Sequence, residues 1–283
     1  MGAAHRIVGA RRAMSQRFWH VTGDNMMNAR DLFDLTGKVS LVSGGGDGIG
    51  RAMSLALADA GSDVVVFSRR REICEEVAKE IESRGVRARA FACDICRQED
   101  IDRVVQDTIS EFGRIDILVN NSGRTWGASP EDIRMEDWQK VIDLNVNGTF
   151  RCTQAVGKEM IRQKQGKIIN ISSYSGSIGT DPAYLDAIPY NTSKGAVNAF
   201  TRDLAIKWAR YNIHVNAIAP GWFPTKMTRW TFDQNGERIL SRIPMKRYGE
   251  MTDLMGVIIF LASDASNYVT GQIISVDGGL TAW

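Results

Sequence analysis

The run Val39-Ser40-Leu41-Val42-Ser43-Gly44-Gly45-Gly46-Asp47-Gly48-Ile49-Gly50 decides how the chain folds. Val39 to Val42 is an apolar run of strand length, and Ile49 opens a helical pattern that reaches about Ala60. The glycines between them therefore form a turn from strand into helix. Asp63 to Phe67 reads as a second buried strand, which completes a strand-helix-strand unit. Parallel strands joined through a helix take the right-handed crossover, and repetition of the unit builds a doubly wound sheet.

The unit does repeat. Ile73, Val77 and Ile81 mark the next helix, and Ala88 to Ala92 the third strand. Ile101, Val104, Val105, Ile109 and Phe112 form another helical stripe before a strand at Ile115 to Val119. Further strands are expected at Lys167 to Ile171, Ile213 to Ile218 and Gln272 to Val276. The expectation is an α/β fold: one Rossmann-type parallel sheet with helices on both faces, spanning residues 36 to 283 and binding its ligand beyond the carboxyl ends of the strands. Trp222 to Glu250 breaks the rhythm with Pro224, Gly236, Pro244 and Gly249, and its place after a strand end makes it the expected substrate loop.

Bulk properties exclude several classes. The chain has 283 residues, 43% hydrophobic and 24% charged, enough for one core without a second domain. A net charge of +2, with no basic stripe interleaved with aromatics, argues against nucleic acid as a partner. The best apolar run, Val257 to Ala262, is too short for a membrane span, so a soluble, cytoplasmic protein is expected. Cys74, Cys93, Cys96 and Cys152 are too few for a disulfide framework. Cys93-Asp94-Ile95-Cys96 has the spacing of a redox pair or half a zinc site, but no second ligand pair follows it; we read the thiols as structural and expect no metal.

Residues 1 to 35 stand outside the pattern as an N-terminal extension. Arg6, Arg11, Arg12 and Arg17 precede the first acidic residue, Asp24, which is the composition of an organellar targeting peptide. Met26 or Met27 could equally be the start, with a disordered extension upstream. Without a cleavage signature we take the second reading.

Tyr190-Asn191-Thr192-Ser193-Lys194 opens a helical run through Tyr211 and sets a phenol and an ammonium on one face. A fixed cation beside a tyrosine favours phenolate, so Lys194 is expected to lower the pKa of Tyr190 and make it a general acid or base. At the start of the chain's pattern, glycines after a strand let backbone approach a pyrophosphate at the amino end of a helix. At the end of the second strand, Ser68-Arg69-Arg70-Arg71 presents cations where an acidic side chain would hold the ribose of NAD. NADP(H) is therefore the expected cofactor, with Arg69 on its extra phosphate. NAD(H) stays possible.

In this order, the Gly-rich turn, Asn120-Asn121-Ser122-Gly123, Asn145, Ser172-Ser173, Tyr190 with Lys194, and Pro220-Gly221 followed by Thr225 resemble the short-chain dehydrogenase/reductase family over about residues 36 to 279. The resemblance implies a cofactor site at Gly44, Gly46, Asp47, Gly48, Ile49 and Gly50, with Ser68 and Arg69 at the ribose. It places Asp94 and Ile95 at the adenine, and Asn121, Ser122 and Gly123 beside the adenosine half. Pro220, Gly221 and Thr225 would meet the carboxamide. It implies Tyr190 as the proton-transfer residue, Lys194 as its partner, Ser173 on the substrate oxygen, and Asn145 holding a water of the proton relay.

More residues than usual separate Ser173 from Tyr190, the surplus falling in Asp181 to Ile188. Counting back from Tyr190 at the commoner spacing would select Ser177, but a strand end fixes an atom better than a loop, so Ser173 is preferred. The expected reaction interconverts a ketone and a secondary alcohol. Trp222, Phe223, Met227, Trp230 and Phe232 suit an acyl chain; Lys226, Arg229, Arg242, Lys246 and Arg247 suit an anion. The likeness is to the 3-oxoacyl reductase and gluconate 5-dehydrogenase branches. A nicotinamide-binding sensor or scaffold without turnover is the alternative, but it has no use for a perturbed tyrosine. Family likeness also implies a homotetramer, with Gly271 to Gly279 near a symmetry axis.

Overall fold

The structure is a computed structural model that describes residues 28–283, so the candidate targeting segment and the alternative starts at Met26 and Met27 lie outside the described residues. Phe33–Trp283 forms one compact unit, and Asn28–Leu32 belongs to a separate one. Seven parallel strands form a single sheet in the order β3-β2-β1-β4-β5-β6-β7. They are β1 (Val39–Ser43), β2 (Asp63–Ser68), β3 (Ala88–Ala92), β4 (Ile117–Asn120), β5 (Gly166–Ile171), β6 (Ile213–Pro220) and β7 (Ile273–Val276). The order reverses between β1 and β4. Crevices for ligands form at that kind of reversal in open α/β sheets.

The linking helices are α1 (Gly48–Asp59), α2 (Arg71–Glu82), α3 (Gln98–Phe112), α4 (Met135–Ile142), α5 (Thr149–Gln163), α6 (Ile188–Trp208), α7 (Arg229–Arg242) and α8 (Thr252–Ala262). Side chains alternate across each strand, so β1 sends Val42 into a core with Met53, Leu57, Leu254 and Ile258, and Leu41 into another with Ile101, Met160 and Val215. Both faces of the sheet are thus covered. That burial is why the strands read as continuous apolar runs rather than as alternation.

Three segments depart from the sequence reading. The substrate loop contains α7, a fourteen-residue helix broken at Asn235, where φ is −132°. Only Ile239 is buried along it, so it lacks the apolar stripe by which a helix is recognised. Between α4 and α5, Asp143–Gly148 forms a π-helical turn, a local widening frequent at functional sites.

The third is Leu35, assigned to the N-terminal extension by the sequence pattern but fully buried in the core, with its N–H donating to the Ala60 carbonyl at 2.8 Å. Leu35→Ala should cost about 2–5 kcal/mol in urea unfolding, the usual range for emptying a buried leucine site. A neutral substitution would mean that this residue does not belong to the core.

Candidate active site

Because all seven strands are parallel, Ser43, Ser68, Asn120, Ile171 and Pro220 end on one side of the sheet. A cavity of about 610 Å³ opens there. Of the residues expected at the cofactor or in catalysis, all but Gly48 and Asn145 line it. Of the loop residues expected at the substrate, Phe223, Met227 and Lys226 line it, whereas Trp222, Trp230, Phe232, Arg229, Arg242, Lys246 and Arg247 do not. Arg70, Ile73, Leu144 and Thr228 line it as well.

The Gly-rich turn is held open from below. Gly44 has φ +63° and Gly48 φ +51°, both in the left-handed region where glycine is favoured. A Cβ on Gly44 would approach Asn121 Nδ2 to 3.0 Å and Ser122 Cα to 3.2 Å. Ser43 Oγ accepts from the N–H groups of Asn121 and Ser122, both at 3.0 Å, while Asn121 Nδ2 donates to the carbonyls of Ser43 and Gly44. The first and fourth strand ends are therefore one unit. Beneath them Asn120 Nδ2 donates to Thr153 Oγ1 and Asn170 Oδ1, and Asn170 Nδ2 donates to Thr201 Oγ1, each at 2.9 Å.

At the other end of the cavity the backbone of β5 gives way to Ser173, which is buried and caps the short turn Tyr174–Gly176. Its Oγ accepts from Ser175 N–H at 3.3 Å and lies against the Tyr190 phenol. Ser177 is exposed, accepts from Asn198 Nδ2 at 3.3 Å, and does not line the cavity. The extra residues after it arch away: Asp181 pairs with Arg238 of α7 at 2.7 Å, and Thr180 Oγ1 donates to the Leu185 carbonyl. The insertion thus braces α7 within the expected substrate loop.

Lys194 sits one helical turn from Tyr190, its Nζ 5.5 Å from the centre of the phenol ring and donating to the Ile171 carbonyl at 2.7 Å. The electrostatics run opposite to the sequence expectation. Burial raises the Tyr190 pKa, with the Ser173 hydroxyl opposing the rise, and it lowers that of Lys194 to about 8. The cause is desolvation, which disfavours either charged form and which sequence spacing does not report. Desolvation thus favours the protonated phenol and the uncharged amine.

Asn145 occupies the π-helical turn. Its Oδ1 accepts from Arg124 N–H, and Nδ2 donates to the Arg124 carbonyl and to Ser193 Oγ, all at 2.9 Å. Both amide hydrogens are committed, so the side chain fastens the loop after β4 to α6. Holding a water with Nδ2 would require giving up one of these bonds.

Charge concentrates at the cavity mouth. Asp47 caps α1 by accepting from Gly48 N–H at 2.8 Å, and its second oxygen pairs with Lys226 Nζ at 2.6 Å. Lys226 was expected at a substrate anion; its pairing with Asp47, far along the chain, could not be read from the sequence. Cys93 also lines the cavity, its thiol pushed up to about 12 by burial, and Cys96 and Cys152 are shifted upward too. All four cysteines are free thiols.

A sequence profile described as Enoyl-(Acyl carrier protein) reductase matches residues 44–281. The chain is 42% identical over 248 residues to a 3-oxoacyl-[acyl-carrier-protein] reductase of Synechocystis, covering 87% of this chain and 98% of that one. A second 3-oxoacyl-[acyl-carrier-protein] reductase, from Thermotoga maritima, is 40% identical over 246 residues, 87% and 98% of the two chains. The crystal structure of a gluconate 5-dehydrogenase from Burkholderia cenocepacia, in complex with NADP and tartrate, superposes with a TM-score of 0.86 at 35% identity, covering 90% of this chain and all of that one. Likeness of this extent shows that the chain belongs to the short-chain dehydrogenase/reductase family of oxidoreductases.

Proposed function

We propose that the chain reduces a ketone, or oxidises the matching secondary alcohol, with NADP(H) as preferred cofactor and NAD(H) accepted less well. The observation that carries the reading is the convergence of the Tyr190 phenol, the Ser173 hydroxyl and the Lys194 ammonium on one cavity wall, with the glycine cradle on another. The residues fit a dinucleotide. Gly50 leaves no room for a side chain and Gly44 little, so the turn at the amino end of α1 is kept to backbone. Arg69 and Arg70 line the cavity too, suited to a ribose phosphate. The bound dinucleotide supplies or accepts the hydride.

The remaining steps belong to the chain. Ser173 donates a hydrogen bond to the substrate oxygen as charge gathers on it. Tyr190, held protonated by its burial, delivers the proton to that oxygen in the reductive direction. Lys194, with a pKa of about 8, can exchange a proton near neutrality, and it would hold the nicotinamide ribose of a bound dinucleotide. Asn145 fixes the loop that closes the site. The substrate class we assign is a 3-oxoacyl thioester or a keto sugar acid, supported by the names of the relatives and by Phe223, Lys226 and Met227 among the cavity's lining residues.

The test is NADPH and NADH oxidation with acetoacetyl thioesters and 5-ketogluconate, in the wild type and two serine variants. Turnover with one of these substrate classes is expected, and Ser173→Ala should lower kcat by about 10²–10³-fold, as removal of an oxyanion donor does. Ser177→Ala should stay within about threefold, since a substitution far from the reacting atoms removes no interaction special to the transition state. Absence of turnover across the panel, or the reverse ranking of the serines, would sink the assignment.

A further inference from the structure

A carboxylate at the mouth of a phosphate-binding cavity needs an explanation. Asp47 stands at the amino end of α1, and the same cavity is lined by Arg69 and Arg70. Unpaired, its charge would repel a phosphate carried on the adenosine ribose. It is not unpaired: Lys226 reaches it from the substrate loop at 2.6 Å.

The segment that carries Lys226 is stiff where it matters. Thr225 N–H donates to Thr228 Oγ1 at 2.9 Å, and Thr228 Oγ1 donates to the Phe223 carbonyl at 2.6 Å. These bonds close a turn around Lys226, and a Cβ on Gly48 would stand 3.5 Å from the Thr225 methyl, so the turn rests on the glycine loop. The lysine is exposed, and an exposed pair adds little to folding stability. Its effect falls on what enters the cavity.

We propose that Lys226 is a specificity-determining residue of the dinucleotide site: by neutralising Asp47 it lets a phosphate on the ribose 2′-hydroxyl settle against Arg69 and Arg70, and so sets the preference for NADP(H) over NAD(H). The inference rests on the NADP(H) reading above. It assigns to the substrate loop a share in cofactor choice, through a residue that acts on the phosphate by way of Asp47.

The experiment is fluorescence titration of NADPH and NADH into the full chain, read as the ratio of the two Kd values. Lys226→Ala should shift the ratio about five- to tenfold against NADPH, the scale of one uncompensated charge a few ångströms away through a water-like medium, as befits an exposed pair. Adding Asp47→Asn should restore the ratio to within about threefold, and Lys226→Arg should keep it, because the charge balance is what counts. The shift should shrink at about 0.5 M salt, where charges are screened within a few ångströms. An unchanged ratio in Lys226→Ala, an equal loss for both dinucleotides, or no restoration by Asp47→Asn would each overturn the proposal. A wild type that binds NADH more tightly would instead overturn the NADP(H) reading, while the dependence of the ratio on Lys226 would still be measurable.

Discussion

Tyr190→Phe should lower kcat by about 10²–10⁴-fold, the range for removing a general acid or base, while NADPH binds within a few-fold of the wild type. The substitution deletes one oxygen and keeps the ring, so the cavity wall and the contact with Lys194 Nζ at 5.5 Å remain. The loss should fall on kcat rather than KM, as expected for an interaction made only in the transition state. Ketone reduction by the proposed mechanism needs a protonated phenol. Burial raises the Tyr190 pKa, so the acid form persists through neutral pH. Reduction should be level there and decline on the alkaline side, beginning as Lys194 loses its proton near its pKa of about 8. The residual rate of Tyr190→Phe should lack the limb belonging to the phenol. A variant with undiminished turnover would mean the proton comes from another group.

How much of this could be read beforehand varies with the range of the physics involved. The alternation of strands and helices was legible because each strand is buried on both faces and shows as an apolar run, as in Ile168-Ile169 of β5. The glycine turn and the pairing of Tyr190 with Lys194 were legible because each is local, fixed by a strand-to-helix transition or by one turn of helix. The π-helical turn at Asp143–Gly148 has no composition of its own, and α7 buries too little to show a period. Leu35 was misplaced because a single apolar residue ahead of the first strand carries no pattern. The direction of the Tyr190 shift depends on how dry the wall around it is, and the pairing of Asp47 with Lys226 on two distant loops meeting; both follow only from the folded chain.

Gly50→Ala should weaken NADPH binding by about 10- to 100-fold, about 1.4–2.7 kcal/mol. It should also lower Tm by several degrees, since overpacking commonly costs about 1–3 kcal/mol. The added Cβ would lie 2.2 Å from the Gly44 carbonyl oxygen and 2.4 Å from Asn121 Nδ2. Neither atom is free to yield. Gly44 N–H donates to the Phe67 carbonyl at 2.7 Å, and Asn121 Nδ2 donates to the carbonyls of both Ser43 and Gly44. Relief would have to move the glycine turn away from the loop at Asn121 to Gly123, and those two segments line the cavity together. Gly256→Ala is the internal control: it makes the same change inside α8, where a Cβ meets nothing within 4 Å. It should be neutral or stabilise by up to about 1 kcal/mol, the helix preference of alanine over glycine. If both variants bind NADPH as the wild type does, close approach of backbone at Gly50 is not what shapes the site, and the glycine is there for the helix packing alone.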